Sequence, residues 1–175
     1  MKILLRDATP SDFETIADVA LEAYREYAKK LTVQNWQKMK QSISNVDRIA
    51  SIANFIVAEV ESKIAGAIVY YAPGKSNSQF FAPQWASLRL LAVAPEYRGR
   101  GIGKQLTAAG ISRAKQDRAK AVGLYTSEIM TTARQMYTSL GFKQERELPS
   151  MLGLRYWLYL LPLEDSSDRF SIIHK

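Results

Sequence analysis

The residues with the clearest chemical purpose lie in the run Val93-Ala94-Pro95-Glu96-Tyr97-Arg98-Gly99-Arg100-Gly101-Ile102-Gly103-Lys104. Three glycines within five positions let a backbone bend sharply and turn successive N–H groups toward one point. Arg98, Arg100 and Lys104 stand beside those amides, a buried strand leads in, and a helix follows with its dipole behind them. That combination predicts a cradle for a diphosphate. A plain strand-to-helix turn would use the same glycines but has no need of three cationic neighbours. The dinucleotide-binding pattern requires glycine or alanine where Leu106 stands, and the Walker pattern requires Ser or Thr where Gln105 stands, so neither applies.

Other chemistries lack their residues. The chain has no cysteine, which removes disulfides, thiolate zinc sites and cysteine nucleophiles. Its single histidine, His174, is next to last, so histidine metal clusters and serine–histidine triads lose their key group; no metal is expected. A net charge of +7 suits an anionic ligand, nucleic acid or an anionic membrane without choosing among them. No apolar run approaches the length that spans a bilayer, and the N-terminus holds only a short one, which predicts a cytoplasmic protein with no membrane partner.

The elements around the cradle follow from spacing. Ile3 to Leu5 predicts a strand, and Phe13, Ile16, Ala17, Ala20, Leu21 and Tyr24 predict a helix, with Ser11 and Glu14 as its capping box. A second amphipathic stretch around Trp36, Met39, Ile43, Ile49 and Ile52 predicts a helix broken near Ser44-Asn45. Asn54 to Val60 and Ile64 to Tyr71 predict an antiparallel hairpin turning at Glu61-Ser62-Lys63. A long loop rich in turn formers runs from Ala72 to Trp85. Ser87 to Val93 predicts a strand covered on both faces, Val122 to Thr126 another, Thr131 to Leu140 a helix stopped by Gly141, and Leu154 to Leu161 a last strand. This is a mixed α/β chain of one domain, residues 1–163, with a tail over 164–175.

Two motifs then resemble one family, the GCN5-related N-acetyltransferases. The first is Arg or Gln, two residues, Gly, one residue, then Gly or Ala, read here as Arg98-Gly99-Arg100-Gly101-Ile102-Gly103 after Leu91-Ala92-Val93. The second is an alanine, a tyrosine four residues on, then Gly-Phe, read here as Ala133, Tyr137, Gly141 and Phe142. The resemblance implies one domain with a mostly antiparallel mixed sheet flanked by helices. It implies acetyl-CoA as cosubstrate, with the amides of Arg98, Gly99, Arg100, Gly101, Ile102, Gly103 and Lys104 on its pyrophosphate and the free edge of Leu91, Ala92 and Val93 on its pantetheine.

The implied chemistry is direct transfer of acetyl to a primary amine of a small molecule, protein or peptide. A departing thiolate needs a neutral donor, and a tyrosine, with a reference pKa of about 10, remains protonated at neutral pH. Tyr137 is the candidate, although Ala133, Met136, Tyr137 and Leu140 share a helical face that core packing alone would also explain. Two positions depart from the family pattern. Met130 stands where an asparagine often contacts the cofactor, leaving Thr131 or Thr132 beside Ala133 for that task, and Ser87 stands where a glutamate often relays the amine proton.

Glu59 or Glu61 could replace that glutamate, or be plain solvated strand-end charges. Arg89, in an apolar strand, calls for an anionic partner, either an internal acid or a carboxylate on the acceptor. Phe80, Phe81 and Trp85 either wall an acceptor pocket, with Tyr24 and Tyr27, or pack the long loop down. Three functions compete: an N-acetyltransferase, which leads; a catalytically silent acyl-CoA-binding sensor; and an RNA-binding protein, disfavoured because the basic turn sits between a buried strand and a helix. A homodimer is left open.

Overall fold

The computed structural model describes residues 1–77 and 79–164, so the expected tail beyond Glu164, with His174, lies outside the described residues. The sheet comprises β1 (Ile3–Asp7), β2 (Asn54–Val60), β3 (Lys63–Tyr71), β4 (Trp85–Val93), β5 (Ala121–Ser127), β6 (Lys143–Met151) and β7 (Leu154–Pro162). Their order across it is β1-β2-β3-β4-β5-β7-β6, and every neighbouring pair is antiparallel except β4 with β5. The helices are α1 (Phe13–Tyr24), α2 (Val33–Ser44), α3 (Val46–Ala50), α4 (Ile102–Gln116) and α5 (Thr131–Ser139). The mixed, mostly antiparallel sheet flanked by helices is thus the observed architecture.

Side-chain alternation along the strands divides the core. On β2, Ile56 and Ala58 face α4 and meet Ile102 and Leu106, whereas Phe55 and Val57 face the other way and meet Ile16 and Val46 of α1 and α3. Each large aliphatic or aromatic side chain so buried contributes about 1.5–3 kcal/mol, which fixes the register of the strands beneath the helices.

Local chemistry sets the boundaries, and it corrects three expectations. Pro10 starts a 3-10 turn over Pro10–Asp12, so the N-terminal box is made by Asp12, which accepts the Thr9 N–H at 2.8 Å, and not by Ser11 with Glu14. The hairpin turn is confined to Glu61 and Ser62, whose φ values of 48° and 63° match the two-residue turn that suits strand twist. Strand β6 was not foreseen, because its nine residues are nearly all exposed and include Pro149; this is the composition of an edge strand. The expected break between α2 and α3 falls at Asn45.

Two irregularities at the centre of the sheet open the site. Ala67 pairs with Ala92 and Val69 with Arg89, so Leu90 and Leu91 together oppose one residue of β3, and Leu90 takes φ 53°. Beside this bulge, β4 and β5 pair only through Trp85–Ala121, Ala86–Val122 and Ser87–Gly123. Beyond Ser87, among the described residues, no strand covers the β5 side of β4.

Candidate active site

Where β4 and β5 part, Leu91, Ala92 and Val93 line a cavity of about 440 Å³. The Arg98–Lys104 turn closes one end of it: Gly99 and Gly101 have φ of 74° and 77°, a conformation that side-chain-bearing residues enter at a cost of about 1–2 kcal/mol. Gly101 caps α4, whose first internal bond is Gln105 N–H to the Gly101 carbonyl, so the amides of Ile102, Gly103 and Lys104 have no partner within the helix. They sit at the positive end of a 15-residue helix that lines the cavity, with Lys104 alongside.

The two arginines of the turn behave differently from the glycines. Arg98 lines the cavity, but its guanidinium donates to the Ala23 carbonyl at 2.8 Å and to Glu26 at 3.0 Å, fastening the turn to the end of α1. Arg100 lies 5.6 Å over the Tyr97 ring and reaches the Met1 sulfur, outside the cavity. Helix N-terminus and Lys104 therefore provide the positive field.

Met130, Ala133, Met136 and Tyr137 also line this cavity, with the Met136 sulfur 3.8 Å from where a Cβ on Gly103 would lie. Tyr137 is 8% exposed and packs edge-on to Phe142; burial pushes its phenol above the usual tyrosine range, with the neighbouring Tyr27 adding to the effect. Thr132 lines this cavity, whereas Thr131 faces an adjoining hollow with Tyr27 and Lys30.

A second cavity, also about 440 Å³, lies against the same opening and is lined by Lys38, Met39, Arg89, Tyr125, Leu152 and Tyr156 among others. Tyr24 and Met130 line both cavities and form their junction. Burial raises the phenols of Tyr24, Tyr125 and Tyr156, the last to about 12, with Tyr125 adding to the rise at Tyr156 and the Arg89 charge working against it at all three. No Asp, Glu or His is among the residues lining this second cavity.

The acetyltransferase (GNAT) family model matches residues 13–142. This chain belongs to that family. Among curated GNAT proteins it is 36% identical over 72 residues to the mycothiol acetyltransferase of Kocuria rhizophila, covering 41% of this chain and 22% of that protein. It is 26% identical over 154 residues to an uncharacterised N-acetyltransferase of Methanocaldococcus jannaschii, covering 86% of this chain and 65% of the relative. The chain spans less than half the length of the mycothiol acetyltransferases and of the Xenopus camello protein it matches. The fold matches the PaiA N-acetyltransferase of Thermoplasma acidophilum, solved with coenzyme A, at TM-score 0.74 and 22% identity over 93% of this chain and all of that one. It also matches a Brucella melitensis GNAT acetyltransferase solved with acetyl-CoA, at TM-score 0.63 and 20% identity over 94% of this chain and 90% of the other.

Within this GNAT domain the remaining candidates lie apart from the cavities. Glu59 accepts from Arg6 at 3.0 Å on the β1 side of the sheet. Ser87 is fully buried against the Ser76 hydroxyl at 2.6 Å. Phe81 is buried on Gly123, where a Cβ would approach its ring to 2.7 Å, and stacks on Tyr125 at 6.2 Å; Trp85 packs in the same cluster. These aromatic side chains hold the long loop down and support Tyr125 from behind. Tyr125 and Tyr156 line the second cavity themselves, which nothing local in the sequence signals.

Proposed function

We propose that this GNAT member is an N-acetyltransferase that takes acetyl from acetyl-CoA to an amine held in the second cavity. The observation that carries the reading is the junction at Tyr24 and Met130, where a cavity headed by a helix N-terminus meets one that is walled by aromatic and apolar side chains. The residues present fit the cosubstrate: unpaired amides of Ile102 to Lys104 suit a pyrophosphate, and the edge of Leu91 to Val93 that β5 leaves uncovered, whose Leu91 and Val93 carbonyls already accept from Tyr24 and Arg98, suits a pantetheine arm through its remaining groups, with Met130 and Met136 alongside. Thr132 and Ala133 would flank the same arm.

Acetyl-CoA supplies an activated thioester: the amine nitrogen bonds to the carbonyl carbon and sheds a proton to water, the carbon–sulfur bond breaks, and sulfur leaves with a proton from the Tyr137 phenol, which regains one from water. Tyr137 is placed to give that proton, and its raised pKa keeps it neutral across the working range. Tyr24 has the opposite assignment. Its hydroxyl is committed to the Leu91 carbonyl and its phenol is too weak an acid to act as a base, so the amine enters already unprotonated or loses its proton to water.

The lack of a carboxylate or histidine around the second cavity would equally suit an acyl-CoA sensor without turnover. Thiol release from acetyl-CoA in the presence of amines separates the two. A rise in melting temperature with CoA but no release from any amine would leave only the sensor, and no rise at millimolar CoA would remove both.

A further inference from the structure

Arg89 is a cation whose placement the fold leaves unexplained. Arg6, Arg25, Arg98, Arg113 and Arg155 each meet a carboxylate within 3.1 Å. Arg89 is half-buried in the middle of β4, yet no carboxylate pairs with it among the described residues; its recorded contact is the face of Tyr125, 4.9 Å from the guanidinium carbon. Stacking leaves the edge of a guanidinium free, and that edge is a planar fork of donors. A half-buried guanidinium with no anion on its fork is a ready partner for an anionic ligand, whose carboxylate would make charge-assisted bonds to it.

The surroundings are built to hold that fork still. Tyr125 stacks on Phe81, meets Phe80 edge-on at 5.7 Å and Tyr156 at 6.0 Å, so the platform beneath Arg89 is braced from three sides. Lys38 adds a second positive charge at the rim of the cavity, and no acidic side chain offsets either. The rest of the wall, Met39, Ile43 and Leu152 with the tyrosine faces, is apolar. A polycation would meet two like charges and no counter-charge here.

We propose that the acceptor is an amino carboxylate with an apolar body, a free amino acid of the phenylalanine or leucine kind, whose carboxylate takes the Arg89 fork while its amine points to the Tyr24–Met130 junction. The inference rests on the acetyltransfer reading given above. A cavity of about 440 Å³ is the size that encloses one such molecule. The fork selects through two parallel charge-assisted bonds, so an analogue lacking the carboxylate leaves the guanidinium unpaired again.

The test uses the full chain with saturating acetyl-CoA and matched acceptors: phenylalanine, phenylalaninamide and phenethylamine, then leucine, leucinamide and isoamylamine. Rates are compared per unprotonated amine. The acids should exceed their amides in kcat/KM by about 10- to 150-fold, the range of one lost charge-assisted bond, and the decarboxylated amines, which lose both, by at least as much; Arg89→Gln should collapse that preference. A second readout does not need turnover: N-acetylphenylalanine should raise the melting temperature in the presence of CoA, and Arg89→Gln should abolish that rise.

Decarboxylated amines that react as well as the acids would overturn the amino carboxylate while leaving acetyltransfer intact, as would preferential turnover of an amine phosphate. Arg89-dependent binding of N-acetylphenylalanine with no release from any acceptor would keep the anion site and overturn acetyltransfer. Neither binding nor release, in protein shown to bind CoA, would overturn both.

Discussion

The Tyr24 hydroxyl donates to the Leu91 carbonyl across 3.1 Å, tying the last residue of α1 to the bulge of β4. Sixty-seven residues separate the two in sequence, and both line the first cavity. The bond consumes one acceptor on an edge that has no neighbouring strand, and it holds the junction of the two cavities at a fixed width.

Tyr24→Phe should therefore act on both structure and function. Losing one hydrogen bond and leaving a buried carbonyl short of a donor costs about 1–2 kcal/mol, or about 2–8 °C in Tm for a chain of this length. Affinity for CoA and the KM of the acceptor should both worsen. Unchanged values of both, with Tm lowered, would show that the bond serves the fold alone.

Tyr137→Phe should lower kcat by about 10²- to 10⁴-fold while CoA affinity changes little, because the hydroxyl acts on the leaving sulfur and not on the bound thioester. Burial holds the Tyr137 phenol above the ordinary value, so its neutral form persists through pH 10. The wild-type kcat/KM should keep rising with pH toward the acceptor's own pKa and show no descending limb below pH 10. A plateau above an apparent pKa of about 6.5–7, the same for every amine, would reveal a protein base.

The turn before α4 makes two contrasting predictions. Gly101→Val forces a β-branched residue to φ 77° and should abolish CoA binding, whereas Gly103→Ala, at an ordinary helical φ with its nearest contact at 3.6 Å, should keep the fold and test only how closely the ligand approaches that backbone. Arg98→Ala should lower Tm by about 2–4 °C even without ligand, since it releases the Ala23 carbonyl and Glu26. An unchanged Tm in the free protein, alongside weakened CoA binding, would assign Arg98 to the pyrophosphate instead.

Away from the site, the Arg6 guanidinium holds the Asp12 carboxyl far below the usual carboxylate range. A depressed folded pKa means that the stability Asp12 contributes is present above about pH 4, its unfolded value, and lost as pH falls below that. Asp12→Ala should cost about 1–2 kcal/mol near pH 7, where the cap and the ion pair both go, and the gap in Tm between mutant and wild type should narrow from pH 5 to pH 2. A gap independent of pH would show that only the cap mattered.

What could be read in the chain without the fold was whatever lies close along it. The bend at Gly99 and Gly101, the tyrosine four residues after Ala133 and the paired strands around Glu61-Ser62 are all local, and their geometry follows from residue type and spacing. Glu59 looked available because the Arg6 that holds it is 53 residues away, on a strand that joins it only in the sheet. For Phe81 and Trp85 the sequence leaves pocket wall and loop packing equally open, and the bare surface of Gly123 beneath Phe81 favours packing. Arg89 pointed to an anion from its place in an apolar strand, but its stacking on Tyr125 needed β4 and β5 side by side. Strand β6 escaped because an exposed edge has no alternation to find.

The three residue pairs that join β4 to β5 have a mechanical consequence. Among the described residues they are the only ladder between one half-sheet, β1 to β4, and the other, β5 to β7, so the sheet carries a partial seam down its middle. A ligand laid along the open part of that seam grips both halves at once and works as a removable rivet. Unfolding should then be less cooperative in the empty protein than in the loaded one, with amides flanking the opening exchanging with solvent at lower free energies than those of the β2–β3 hairpin until the rivet is in place.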